Sequence, residues 1–301
     1  NSLLYQGGTP VFIDIDPNTY NIDPDLIERY ITQKTKAIIP VHFTGQPAEM
    51  DEILRIAKKH QLIVIEDAAH ALGATYKNKK VGSIGDMTMF SFHPVKHITT
   101  GEGGMITTNN QTYYEKLLQF RTHGITRESH TLKNNHGPWY YEMQFLGFNY
   151  RITDIQAALG LSQIEKLSQF VDRRKQLVNL YMEECQNIQE ILLPKQLPYV
   201  DSSWHLFVIK LQLSHLTSGR KEIFKALQKE NIGVNVHYLP VYLHPYYQSL
   251  GFVSGICPVA EDCYEGFITL PLYPGMTDED AMDVVRALKK VIRFYSTNKG
   301  S

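Results

Sequence analysis

The sequence predicts an α/β protein with a parallel sheet in a larger first lobe and a smaller α+β lobe after it. Between Lys36 and Ile65, short apolar runs flank an amphipathic stretch, which is the order of a strand–helix–strand unit. Past Leu167 charged residues thicken and shorter strand-like and helix-like stretches alternate, reading as a small α+β lobe. A chain of 301 residues with 43% hydrophobic composition can bury a core large enough for two lobes.

Taken in order, Pro10 to Ile15 reads as a strand, followed by a turn at Asp16-Pro17-Asn18. Asp23-Pro24-Asp25-Leu26 opens a helix predicted to reach about Thr32. An aspartate can accept from the free amides of a first turn, and proline lacks only an N–H that would have had no partner there. Lys36 to His42 is a strand. Met50 to His60 is a helix with Ile53, Leu54 and Ala57 on its apolar face, and Leu62 to Ile65 is the next strand. This βαβ order implies a right-handed crossover and parallel strands. Glu66-Asp67-Ala68-Ala69-His70 then falls at the carboxyl end of the second strand, where open α/β sheets bind ligands.

Met87 to Phe92 reads as a short buried strand that ends before Pro94, so Lys96 lies beyond a strand end, with Gly101, Gly103 and Gly104 close behind. A lysine is ordinarily a solvated surface cation. Set among Pro, Val, Ile and Gly it is partly desolvated, which lowers its pKa, and a partly neutral amine can attack a carbonyl. Tyr113 to Arg121 reads as a helix and Thr122 to Pro138 as a polar, mobile loop. His97, His123, His130 and His136 match no zinc-ligand spacing. A helix begins at Thr153-Asp154, and charged residues thicken near Leu167, which divides the chain into 1–166 and 167–301. Trp204 to Leu211 and Val234 to Tyr238 read as strands, Gly219 to Glu230 and Thr277 to about Tyr295 as helices.

The net charge of −1 gives no electrostatic reason to expect nucleic acid or an anionic membrane as partner, and favours small-molecule chemistry. Cys185, Cys257 and Cys263 show no CxxC spacing and read as reduced packing residues. No apolar run approaches the roughly 18 residues that span a bilayer, and no signal pattern is visible, so a soluble cytoplasmic protein is expected.

Ser91-Phe92-His93-Pro94-Val95-Lys96, followed by Ile98-Thr99-Thr100-Gly101-Glu102-Gly103-Gly104, resembles the cofactor-lysine segment of the DegT/DnrJ/EryC1/StrS family of pyridoxal phosphate-dependent sugar aminotransferases. The resemblance runs from Pro10 through the terminal helix. It implies the type I aminotransferase fold, with a large mixed-sheet cofactor domain at 1–166 and a small C-terminal α+β domain at 167–301. It further implies that Lys96 holds pyridoxal 5'-phosphate as an imine and that Ser91 binds its phosphate. Glu66-Asp67-Ala68-Ala69-His70 resembles a second family motif, in which Asp67 would pair with the pyridinium nitrogen and His70 with the phenolic oxygen. Without it, Asp67 reads equally as a helix cap and His70 as a core or surface residue. Asn149-Tyr150-Arg151 resembles a segment whose asparagine reaches the neighbouring subunit's cofactor phosphate. That implies a homodimer with shared sites, Asn149 at the phosphate and Arg151 in the same pocket. His237-Tyr238-Leu239-Pro240 and the aromatic Tyr242 to Tyr247 resemble the loop that approaches the sugar.

The resemblance implies amination of a nucleotide-linked keto sugar. A related group of deoxysugar dehydratases has histidine in place of the lysine, so Lys96 favours transamination. A cofactor-binding regulator without turnover and a non-catalytic binding module are the other classes. Gly137 to Gln144, Leu146 to Arg151 and Thr99 to Gly104 look most like the aminotransferases of the pseudaminic acid pathway. The implied reaction is amination at C4 of a UDP-linked 4-keto-6-deoxy-HexNAc, giving UDP-4-amino-4,6-dideoxy-N-acetyl-β-L-altrosamine, with L-glutamate converted to 2-oxoglutarate. Amination at C3, or of another nucleotide-linked keto sugar, is the alternative.

Family members carry a segment ahead of the region matching Asn1, with a turn that opens a helix whose amides complete the phosphate cup. The resemblance therefore implies that this chain is part of a longer protein. Hydrogen bonds to a charged group are worth roughly 1.5 to 3 kcal/mol each, so the 301-residue chain alone is expected to bind the cofactor weakly, dimerise poorly and turn over little.

Overall fold

The structure is a computed structural model and describes residues 1–297. Its first sheet is built from β1 (Ala37–Ile38), then the crossover helix α1 (Met50–His60), β2 (Ile63–Asp67), β3 (Met87–Ser91) and β4 (Gly104–Thr107). The strands lie in that order across the sheet, β1, β2 and β3 parallel and β4 antiparallel to β3. Helix α1 buries Met50, Ile53, Ile56 and Ala57 against the sheet and ends at Gln61, whose left-handed backbone turns the chain into β2. With alternation along β2, Val64 and Glu66 are buried on one face and Ile65 and Asp67 face the other way.

Glu66 is wholly buried, and its environment explains why. One carboxylate oxygen lies 2.8 Å from His42 Nε2, while the other accepts from Gly85 N–H at 2.6 Å and Thr88 Oγ1 at 2.7 Å. His42 Nδ1 accepts from Ala48 N–H at 3.1 Å, so its ring hydrogen is on Nε2, facing Glu66. Every polar atom of the pair has a partner, the condition under which a buried ion pair or dipole is tolerated.

Helix α2 (Gln111–Phe120) follows the sheet, then α3 (Asp154–Ile164), capped by reciprocal bonds between Thr153 and Gln156, and α4 (Leu167–Cys185). The second half adds β5 (Ile191–Leu192), β6 (Phe207–Leu211), α5 (Arg220–Lys229), β7 (Phe267–Leu270) and α6 (Asp278–Tyr295). Strand β6 lies between β7 and β5, antiparallel to both. Leu177 and Tyr181 of α4, Phe207 and Ile209 of β6, Ile223 and Leu227 of α5, and Leu288 of α6 are buried together in one core. A separate cluster joins Ile38 and Val64 of the first sheet and Ile53 and Ile56 of α1 to Val200. Val200–Asp201 pairs with Thr75–Tyr76, so a piece of the second half is stitched back onto the first.

Several expectations are corrected. Pro10 to Ile15 is no strand: only Ile15 bridges to Ile22, and Asp14 instead accepts from Val259 and Ala260 N–H, fastening this extended segment to helix Pro258–Gly266. Asp23 does cap a helix, but Pro24–Ile27 tightens to a 3₁₀ turn at Glu28–Tyr30 and stops short of Thr32. Val234 to Tyr238 pairs only at Asn235, which exchanges both backbone bonds with Thr269, while the neighbouring Val236 N–H turns to Asn235 Oδ1. Within Thr122 to Pro138, Ile125–Thr126 pairs with Glu142–Met143, and the Glu142 carboxylate gathers the Lys133 and Asn134 amides.

Removing one side of the buried pair leaves His42 Nε2–H, Thr88 Oγ1 and Gly85 N–H without their acceptor. Glu66→Ala is therefore expected to destabilise the protein by about 3 kcal/mol in urea titrations at pH 7. Burial alone would raise the Glu66 carboxyl, but the bonds from His42, Gly85 and Thr88 outweigh it and hold it below the usual carboxylate range. Its stabilisation is present above the ordinary value of about 4.3 and lost as pH falls below that. Equal stability of wild type and Glu66→Ala at pH 7 would contradict this account.

Candidate active site

Asp67 closes β2 and Ser91 closes β3, with Asp67 opposite Met89 in the parallel register. Both residues therefore emerge at the carboxyl ends of neighbouring strands. Asp67 is held through its backbone to the segment that follows β1, its N–H on Pro40 O and its carbonyl on His42 N–H, while Oδ1 accepts from Ala69 N–H at 3.1 Å. Beyond Ser91 the chain doubles back to β4. Lys96 N–H donates to His93 O, and Thr100 N–H and Thr99 Oγ1 both donate to Phe92 O. Phe92 N–H closes the loop on Gly103 O at 2.9 Å. Opposite Ser91, Gly104 must lack a side chain, since a Cβ there would lie 2.8 Å from Phe90 O.

This loop holds Lys96 half-buried. Burial pushes its ammonium below the ordinary lysine value, and the nearby Asp67 charge only partly opposes that. An amine shifted this way loses its proton more readily, which favours action as nucleophile or base.

The wall beside Lys96 is made of histidines. His70 is buried, with His205 at 4.5 Å between ring centroids and Phe43 at 6.1 Å. Its Nε2 lies 3.4 Å from the Tyr238 hydroxyl. His97, next in sequence to Lys96, packs on the other side of His205 at 5.3 Å and donates from Nε2 to Ser203 O at 2.9 Å. Arg174 Nη1 braces the same stretch from below, donating to the carbonyls of Trp204, His205 and Leu272. His237 is tied to Thr269 of β7 by a 2.8 Å contact, which sets Tyr238 over His70.

The structure thus brings Asp67, His70, Lys96, His237 and Tyr238 together around the ends of β2 and β3, with Ser91 at the base of the lysine loop. Asn149 and Arg151 lie apart: Asn149 bridges to Thr122 on an exposed face, and among the described residues neither side chain bonds to this cluster. Around them Leu146, Tyr150, Ile155 and Leu161 are exposed. His42, His205 and Arg174 escaped the sequence reading. His205 follows Trp204 just ahead of a buried strand, and nothing in that local pattern separates a site-facing ring from a core one. The donor set fits pyridoxal phosphate: a desolvated amine for its aldehyde, a carboxylate for its ring nitrogen, an imidazole for its phenolic oxygen and a hydroxyl for its phosphate.

Residues 1–289 match the DegT/DnrJ/EryC1/StrS aminotransferase family. The chain belongs to that family. SpsC, a spore coat polysaccharide biosynthesis protein of Bacillus subtilis, is 41% identical over 97% of this chain and 76% of its own length. GDP-perosamine synthase of Caulobacter vibrioides is 38% identical over 97% of this chain and 76% of its own. Helicobacter pylori PseC, an aminotransferase of pseudaminic acid biosynthesis, has a TM-score of 0.89 and 34% identity over 97% of this chain and 76% of its own. The fold is that of the type I aminotransferases, and the protein is a pyridoxal phosphate-dependent sugar aminotransferase. Its described residues contain no helix long and apolar enough to cross a membrane.

The histidine wall has a consequence for acid stability. Burial first, and then the neighbouring positive groups, push His70 down to about 3; burial likewise takes His97 to about 3 and His205 lower still. In the unfolded chain all three protonate near 6.5. Stability is therefore complete above that pH and falls on acidification, by about 1.4 kcal/mol per pH unit for each histidine that only the unfolded chain protonates. Between pH 6 and 5, His205→Gln is expected to show a shallower loss than wild type, by about one proton's worth. Urea midpoints with the same pH slope in both proteins would contradict it.

Proposed function

We propose that this sugar aminotransferase acts on a UDP-linked 4-keto-6-deoxy-HexNAc, aminating C4 with L-glutamate as donor and releasing 2-oxoglutarate. The observation that carries the chemistry is the half-buried Lys96, its ammonium destabilised by burial, beside the strand-end carboxylate of Asp67. Support for the substrate is the resemblance of Gly137 to Gln144 and Leu146 to Arg151 to the pseudaminic acid aminotransferases, together with the overall likeness to PseC. A second reading, a GDP-linked 4-keto sugar, is favoured by the 38% identity to GDP-perosamine synthase.

Pyridoxal phosphate, when bound, supplies an electron sink that takes an amino group from the donor and passes it to the keto carbon. The chain's residues divide the remaining work. Lys96 Nζ would hold the cofactor by its aldehyde, and its amine would move a proton to and from the substrate carbon. Asp67 would hold the proton on the ring nitrogen by charge, and His70 would bond the phenolic oxygen. Ser91 would bind the phosphate, with Asn149 from a second copy of this chain completing the grip in a homodimer. Arg151 of that same segment and His237 and Tyr238 of the β7-side loop are assigned to the sugar nucleotide.

Lys96→Ala is expected to abolish both the visible absorbance of bound cofactor and turnover, and a variant with full turnover would end the assignment. Asp67→Asn is expected to lower kcat on the order of 10²-fold, the scale of losing one preorganised electrostatic partner, with a smaller effect on cofactor affinity. Equal losses in rate and affinity would count against its role.

For the substrate, turnover is to be measured across UDP-, GDP- and dTDP-linked keto sugars, the UDP-linked 4-keto-6-deoxy-HexNAc being expected to give the highest kcat/KM. Activity confined to a dTDP-linked 3-keto sugar would sink both readings.

A further inference from the structure

Tyr238 approaches His70 from the second half of the chain. The residue before it, His237, is fastened to β7 through Thr269 Oγ1 at 2.8 Å, and the Tyr238 hydroxyl lies 3.4 Å from His70 Nε2. His70 is otherwise packed between Phe43 and His205, and its Nδ1 is buried with no hydrogen-bond partner among the described residues. Together these contacts locate the ring hydrogen. A buried N–H without an acceptor is costlier and rarer than a buried lone pair without a donor. The hydrogen therefore sits on Nε2, Nδ1 is bare, and the Tyr238 oxygen accepts from Nε2–H. At 3.4 Å the contact is long, so Nε2–H can still be shared with another oxygen.

We propose that Tyr238 is a positioning residue of the cofactor site: its hydroxyl holds His70 as the neutral Nε2–H tautomer and so presents that N–H to pyridoxal phosphate. This rests on the assignment of His70 and Lys96 to cofactor binding, and it adds a role to Tyr238 besides any contact with the sugar. The electrostatics agree. Burial, and then the charges of Lys96, His97 and His237, push His70 down to about 3, which keeps the ring neutral. Burial raises the Tyr238 phenol, so it keeps its own hydrogen for a further acceptor. Through Tyr238, the loop assigned to the sugar touches a residue assigned to the cofactor, so the two binding events share one side chain.

Two measurements test the proposal. In the protein without cofactor, ¹⁵N shifts of the His70 ring are expected to be pyrrole-like at Nε2 and pyridine-like at Nδ1; the reverse assignment overturns it. Tyr238→Phe keeps the ring and removes only the oxygen of a half-exposed side chain. Its dissociation constant for pyridoxal phosphate, measured without sugar or amino donor, is expected to rise roughly two- to tenfold, the worth of one net hydrogen bond, with a shifted visible absorbance maximum. Unchanged affinity and absorbance, with only the KM for the keto sugar raised, would make Tyr238 a sugar contact alone and overturn the proposal. The tautomer is read without cofactor, whereas Lys96→Ala leaves His70 and Tyr238 intact, so failure of the cofactor assignment is seen separately.

Discussion

The parallel pairing of β2 with β3 is the constraint on which the site depends, and a buried carboxylate fixes its register. Glu66 stands opposite Thr88 in the ladder, and its side chain accepts the Thr88 hydroxyl at 2.7 Å while also holding Gly85 N–H and His42. Because side chains alternate along a strand, anchoring Glu66 in the core turns Asp67 to the opposite face, where Lys96 lies. A slip of one residue would exchange these two carboxylates. The site's acid would then be buried among hydrophobic groups, and Glu66 would stand in the site without its partners. The adjacent acids thus do opposite jobs: Glu66 is closed off by hydrogen bonds, and Asp67 keeps an electrostatic hold on a lysine.

The same burial that orders this region sets the charge state of everything around Lys96. Lys96, His70, His97, His205 and His237 all have their charged forms disfavoured, burial being the largest cause in each case. Arg174 is the exception, pushed down only to about 10 and therefore still cationic. It has no carboxylate partner among the described residues and is accommodated by three backbone carbonyls. A permanent cation beside His97 and His205 makes protonating either of them harder. That neutral lining suits a ligand whose own charges, a ring-nitrogen proton and a dianionic phosphate, need partners of opposite sign at their own ends and not a surplus of positive charge between them.

The parts legible in the sequence were those set by local physics. Helix α1 spans the predicted Met50 to His60, because its apolar spacing is helical and Gln61 ends it, and α6 starts where Thr277 and Asp280 cap each other. Asp67 and Lys96 were readable because each follows an apolar run that had to be a strand. What failed was decided at long range. Pro10 to Ile15 has strand-like composition, but Asp14 is claimed by backbone amides at Val259 and Ala260, far along the chain. Val234 to Tyr238 keeps only one bridge, from Asn235 to Thr269 of β7. His205 was invisible because its significance lies in two rings, His70 and His97, that only the folded chain brings within about one ring's width of it.

The arrangement also bears on where substrate choice can reside. On the proposed assignment, the residues at the ends of β2 and β3 recognise an aldehyde, a ring nitrogen and a phosphate, features of the cofactor that are identical whichever sugar is aminated. Discrimination among sugar nucleotides must therefore come from side chains outside that core. The exposed aromatic groups fit this requirement: Trp139 and Tyr141 in the hairpin region, and Tyr246 in the stretch after Tyr238, present large faces to solvent. Such rings can stack on a nucleobase or a sugar face without disturbing the strand ends. Tyr238 links the two zones on the proposed assignment, since it lies in the loop proposed for the sugar and touches His70, proposed for the cofactor. A chain built this way can change its sugar by altering the aromatic loops while the register of β2 and β3, and with it the chemistry at Lys96, stays fixed.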